Sequence, residues 1–275
     1  MVLQPLMIEP QRIGRFLATD ELGYVKPDVA MDLIGPVWRP FVDFVASALM
    51  RRNGVYSVYI RGSIPRGLAI ENISDADFIY ISEQDFERQD HAMEVAAKAR
   101  FPFARDIKVF RLNRAEFRKI HHPQRRPYFH MLLKTQSLFL AGEDVTKSIE
   151  PFKLGPDMVS HVFALASEFA KSQAWLSRLP AALPDQQKQS LERSMHVWIC
   201  KRIARSGFEV TMNRTDRFTR DLYLCYEQFA EFYPERAEQM YDVLVNCLNG
   251  DKSPAPYGEL VEFLAREGLR LLPQG

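Results

Sequence analysis

Between residues 55 and 112 the chain changes its hydrophobic rhythm repeatedly. VYSVYI (55–60) and DADFIYI (75–81) are short runs rich in β-branched and aromatic residues. The first ends at Gly62, the second is entered from the polar loop ENIS, and the pattern predicts two strands. FARDIKVFRL, which begins after Pro102, predicts a third. Helical spacing surrounds them. Residues 27–52 predict a helix that Pro36 and Pro40 bend or split, closed by Asn53-Gly54. Ser82 is a candidate cap for a helix with Glu83 and Asp85 in its first turn, continuing to about Arg100.

From about Arg125 the spacing becomes helical throughout. RRPYFHMLLKTQSLFLAG predicts a helix ending at Gly142, Asp157 opens another running to about residue 178, and residues 186–205 predict a third that stops at Gly207. FTRDLYLCYEQFAEFY and PERAEQMYDVLVNCLNG predict a helical pair, and Tyr257–Leu272 a last helix. The expected fold class is α+β: a small mixed β-sheet with flanking helices over residues 1–125, then a C-terminal helical bundle over residues 126–275.

Composition narrows the function classes. Lysine and arginine total 36 against 35 aspartate and glutamate, so the net charge of +1 gives no support for a nucleic acid or a membrane surface as partner. No apolar run approaches the roughly 20 residues of a membrane span, and a cytoplasmic protein is expected. Cys200, Cys225 and Cys247 are widely spaced in apolar helical patterns, which fits buried thiols. The histidines form no metal set: His121 and His122 are adjacent, and His91, His130, His161 and His196 have no acid or cysteine at ligand spacing.

Two acids stand out against this background. On a strand Asp75 and Asp77 point to one side and Ala76 and Phe78 to the other. Paired carboxylates at the edge of a core repel each other and lose hydration, which costs several kcal/mol unless a cation or hydrogen-bond donors compensate. Mg²⁺, a hard cation that takes carboxylate oxygens and keeps room for phosphates, is one compensator; a polar turn before the strand, with both acids facing water, is the other reading. Gly62 permits a sharp exit from its strand and close approach of a phosphate to backbone N–H groups, and Ser63 adds a hydroxyl. Eleven residues separate Ser63 from Asp75, enough for the chain to return beside it.

The joint pattern of Gly62-Ser63, Asp75-x-Asp77 and Asp106 in a later strand resembles the DNA polymerase β-like nucleotidyltransferase superfamily over residues 30–112. Ala76 departs from the bulky aliphatic residue usual between the two acids. The resemblance implies a nucleotidyltransferase-type sheet, two Mg²⁺ ions, and ATP or another nucleoside triphosphate as substrate. It implies Asp75 and Asp77 as metal ligands, and Asp106 as a ligand of the second metal that also accepts the proton of the attacking hydroxyl. Gly62 and Ser63 would meet the nucleotide.

Three cations are candidates for the triphosphate. Arg66 flanks the Gly-Ser turn and lies in the loop, whereas Arg61 sits at a strand position of uncertain face. Lys134 lies in a segment resembling the helix that precedes an L-x-GED-like end in small nucleotidyltransferases. Lys201, four residues before Arg205 on one helix face, is the third. Each also reads as a solvated surface charge. The layout resembles the small-molecule, aminoglycoside adenylyltransferase-like branch, which implies transfer of AMP to a small hydroxylated acceptor. The alternatives are a toxin-like enzyme acting on protein or RNA, and an antitoxin-like interaction module without catalysis. Oligomeric state is not legible.

Overall fold

A computed structural model describes residues 8–118, 128–155, 158–159 and 161–271. His121, His122 and the helix start expected at Asp157 lie outside them. The chain forms two compact units, one of residues 17–153 and one of residues up to 16 together with those from 154 on. The join expected at 125/126 thus lies inside the first unit. SLFLAG, read as the end of a helix, is a strand that completes that unit's sheet.

The first unit is built on four strands: β1 (Val55–Arg61), β2 (Ala76–Ser82), β3 (Ile107–Asn113) and β4 (Ser137–Gly142), in the order β3-β2-β1-β4. β1 runs antiparallel to β2 and β4, and β2 runs parallel to β3, so the sheet is mixed as expected. A parallel pair needs a crossover, and α2 (Glu87–Arg100) supplies it. That helix begins later than its sequence suggests. Ser82 ends β2, its Oγ accepting from Gln84 N at 3.0 Å in a turn rather than capping a helix. α1 (Arg39–Met50) likewise begins after Pro36, with Pro40 in its first turn, where a missing N–H is not needed. The short α3 (Arg114–Arg118) follows β3, and α4 (Tyr128–Gln136) leads into β4.

Strand alternation separates two cores. Val58, Ile60, Phe78 and Tyr80 face Phe41, Val45 and Leu49 of α1, while Tyr59, Ile79 and Ile81 face Leu132 and Leu133 of α4. Each fully buried large side chain contributes about 1.5–3 kcal/mol by leaving water. The entry to α2 is pinned by polar contacts in the first core. Asp90 pairs with Arg52 and accepts a 2.9 Å hydrogen bond from the Tyr80 hydroxyl.

The second unit is helical: α5 (Leu165–Leu176), α6 (Asp185–Glu209), α7 (Leu222–Phe232), α8 (Ala237–Asn249) and α9 (Gly258–Leu269). α6 does not stop at Gly207; it runs through it to Glu209. A Cβ at Gly207 would stand 2.6 Å from Met240 Cε and 3.2 Å from Phe229 Cδ2, so glycine serves close helix packing there, not termination. The buried Glu209 carboxylate accepts from the backbone N–H groups of His161 and Val162. Residues before the first unit belong here too, strapped on by Arg12 to Glu227 and Arg15 N–H to Asp221.

Candidate functional site

The antiparallel register pairs Arg61, the last residue of β1, with Asp77 near the start of β2, so the chain leaves β1 at Gly62 on the end of the sheet where Asp75 and Asp77 enter it. The Gly-Ser turn and the two acids therefore meet at one end of the sheet, a return that the eleven-residue gap permits. Gly62 makes the exit with φ +90°, a region that L side chains rarely adopt, and a Cβ there would meet nothing within 4 Å. Open space lies beside the turn. Ser63 starts the single 3₁₀ turn Ile64–Arg66; its carbonyl accepts from Leu68 N at 2.9 Å, and its hydroxyl caps nothing.

Asp75 and Asp77 are in phase with Ile79 and Ile81 and so belong to the face that α4 covers. Asp75 stands just before β2 and Asp77 within it. Both are half-buried and both carry a guanidinium partner. Arg61 Nη2 lies 2.6 Å from Asp77 Oδ2, and Arg105 Nη2 lies 3.8 Å from Asp75 Oδ2. Lys108 is the residue paired with Asp77 on the other side, in the parallel register of β3. The sequence left Arg61 and Lys108 unassigned because the face of a strand residue is fixed only by register, and Arg105, just before β3, carried no signal of its own.

Asp106 is placed differently from the expectation. It precedes β3 instead of lying inside it, and its side chain is exposed. Its carbonyl accepts from Ala76 N at 2.8 Å, which sets its backbone level with Asp75. It also borders a cavity of about 440 Å³ lined by His91, Glu94, Lys98 and Arg105. Among the described residues no three histidine, cysteine or carboxylate side chains converge to hold a metal ion. The donor chemistry of the Asp75–Asp77 pair still suits a hard cation: two carboxylates share one face, and each binds its arginine through Oδ2.

The other candidate contacts fall as follows. Arg66 is turned to Asp28, Nε to Oδ2 2.5 Å, with both side chains about one-tenth exposed, so it fastens the loop after β1 to the segment before α1. Lys134 lies on α4, the helix over the acid-bearing face, and its Nζ donates to the Thr146 carbonyl at 2.9 Å. Lys201 lies on α6 of the helical unit, within electrostatic reach of the buried Cys247. Phe229 of α7 and Tyr233 just after it are buried and stacked at 5.1 Å, whereas Tyr223 and Tyr226 of α7 are half-buried. All three cysteines are buried free thiols. Among the described residues no helix is long and apolar enough to cross a membrane.

Residues 43–148 match the family model described as a nucleotidyltransferase domain. That span runs from within α1 to the turn after β4 and contains the whole sheet. No curated protein matches the chain. Among solved structures, spectinomycin adenyltransferase from Enterococcus faecialis, crystallised with ATP and spectinomycin, is similar at 12% identity and a TM-score of 0.47. The likeness covers 84% of this chain and 98% of that one.

Proposed function

We propose that the protein, whose residues 43–148 match the nucleotidyltransferase domain, moves a nucleoside monophosphate, AMP from ATP, to a hydroxyl of a small acceptor with release of pyrophosphate, in a Mg²⁺-dependent reaction. The observation that carries this reading is the meeting of the Gly62-Ser63 turn with Asp75 and Asp77 at one end of the sheet.

Asp75 and Asp77 would hold Mg²⁺, which when bound neutralises phosphate charge and polarises the phosphorus centre. The chain's own residues do the rest. The positive-φ turn at Gly62 leaves backbone N–H groups accessible to a phosphate, and the uncommitted Ser63 hydroxyl adds a donor. Asp106, exposed and with its backbone level with Asp75, would be the acceptor for the proton of the attacking hydroxyl. Rate enhancement would come from alignment and charge compensation, as in other phosphoryl transfers. Lys134 and Arg66 are already engaged, by the Thr146 carbonyl and by Asp28, so a phosphate would share or displace those contacts.

The test is incubation with each labelled nucleoside triphosphate and Mg²⁺, following pyrophosphate release and label transfer to small-molecule, protein and RNA acceptors. Transfer to a small hydroxylated acceptor that disappears in Asp75→Asn and Asp77→Asn is the expected result. Equal turnover in wild type and both variants would remove these acids from the chemistry.

A further inference from the structure

Asp77 stands in a row of charges that crosses the sheet. The antiparallel register places Arg61 of β1 on one side of it, and the parallel register places Lys108 of β3 on the other. In-register neighbours project to the same side of a sheet, so one carboxylate lies between two cations. Arg61 closes on it: Nη2 to Oδ2 is 2.6 Å, with side chains only 22% and 16% exposed. Arg61 is also the residue immediately before Gly62, where the chain leaves β1 with φ +90°. A single guanidinium thus adjoins both the acid suited to a divalent cation and the turn suited to a phosphate.

We propose that Arg61 is a triphosphate-binding residue that Asp77 holds in reserve. Without nucleotide, Arg61 neutralises Asp77. When a metal takes Asp77, the guanidinium is released to the phosphates that arrive with it. The proposal rests on the nucleotidyltransferase reading of this site and adds to it a residue whose partner changes during binding. Its physical basis is charge compensation. A largely buried carboxylate left without a partner is costly, and the exchange keeps Asp77 compensated before and after metal binding. The freed guanidinium, a planar fork of N–H donors, matches phosphate oxygens in pairs where an ammonium group would act only as a point charge. Linkage makes the effect reciprocal: metal at Asp77 favours phosphate at Arg61, and phosphate at Arg61 favours metal at Asp77.

Two probes test this without turnover: Mn²⁺ alone, followed by electron paramagnetic resonance, and inorganic tripolyphosphate, followed by titration calorimetry. Arg61→Gln is expected to bind Mn²⁺ about fivefold more tightly than wild type when phosphate is absent, and tripolyphosphate about fivefold more weakly when Mn²⁺ is present. Asp77→Asn in EDTA is expected to bind tripolyphosphate about fivefold more tightly than wild type, because Arg61 is already free. Adding Arg61→Gln to Asp77→Asn should abolish that gain. Wild-type Mn²⁺ affinity in Arg61→Gln, or no gain in Asp77→Asn, overturns the proposal. Should Arg61→Gln not fold, the Asp77→Asn arm decides alone. The site reading fails separately: an Asp75→Asn, Asp77→Asn double variant that keeps wild-type Mn²⁺ affinity overturns both that reading and the role of Arg61. A double variant that loses Mn²⁺ while Arg61→Gln matches wild type overturns only the latter.

Discussion

Replacing Gly62 with alanine separates a cost to the fold from a cost to phosphate binding. The added Cβ meets no atom within 4 Å, so packing is unaffected and the penalty comes from the backbone alone. Holding an L residue at φ +90° costs about 1–2 kcal/mol, and the stiffer unfolded chain returns about 0.4–1 kcal/mol. The net loss is about 1 kcal/mol, equivalent to about 2–4 °C in Tm for a domain of this size. Binding should suffer far more. The methyl group enters the open space beside the turn, and loss of one hydrogen bond to a charged phosphate costs about 1.5–3 kcal/mol, or about 10- to 100-fold in Kd. Circular dichroism melts and calorimetric titration with ATP and Mg²⁺ read the two quantities independently. A Gly62→Ala protein that melts a few degrees early and still binds ATP like wild type would refute the phosphate-cradle reasoning.

The remaining predictions concern the scaffold. Burial pushes the thiols of Cys200, Cys225 and Cys247 up, that of Cys247 to about 12, so native protein should give almost no reaction with Ellman's reagent at pH 8 and three thiols once unfolded in guanidinium. Arg52→Ala should destabilise the first unit by about 3–5 kcal/mol, read as a lower urea midpoint, because it strands the Asp90 carboxylate that also holds Tyr80. Desolvation raises the Asp242 carboxyl, but hydrogen bonds from Lys252 and Tyr257 outweigh it and leave the group below its ordinary value. Its folded form therefore binds protons less readily than its unfolded form. The stability it contributes is present above the ordinary carboxylate value of 3.8 and is lost as pH falls through the lowered one. Asp242→Asn should flatten that acid limb in denaturation curves measured from pH 5 downward, and an unchanged slope would show that the pair does not contribute.

The legible parts of the fold were those in which one local signal sufficed. β1 and β2 carry β-branched and aromatic residues in a pattern with no helical reading, and their positions follow the sequence to within a residue. Gly250 closes α8 in the left-handed conformation because the backbone there needs what glycine offers. Misreadings arose where two local signals were equally good. SLFLAG is too short and too apolar for periodicity to distinguish a strand from the end of a helix, and pairing with β1 decides it. Gly207 carries the same letter as a helix stop, but it lies where Met240 and Phe229 press against α6, so contact distance sets its role.

Among the candidate site residues the division is similar. The identities and spacing of Gly62, Ser63, Asp75 and Asp77 pointed to a turn that returns near two acids on one strand face, since a two-residue period needs no partner to define it. Which cations stand beside those acids could not be read in the same way. Arg66, favoured for its loop position, is turned to Asp28. Arg61, set aside because its face was unknown, lies on Asp77. A strand residue's neighbours are chosen by hydrogen-bond register, which joins positions 16 residues apart on β1 and β2 and 31 apart on β2 and β3. Sequence order holds the acids and the turn. Only the assembled sheet decides whose charge each acid meets.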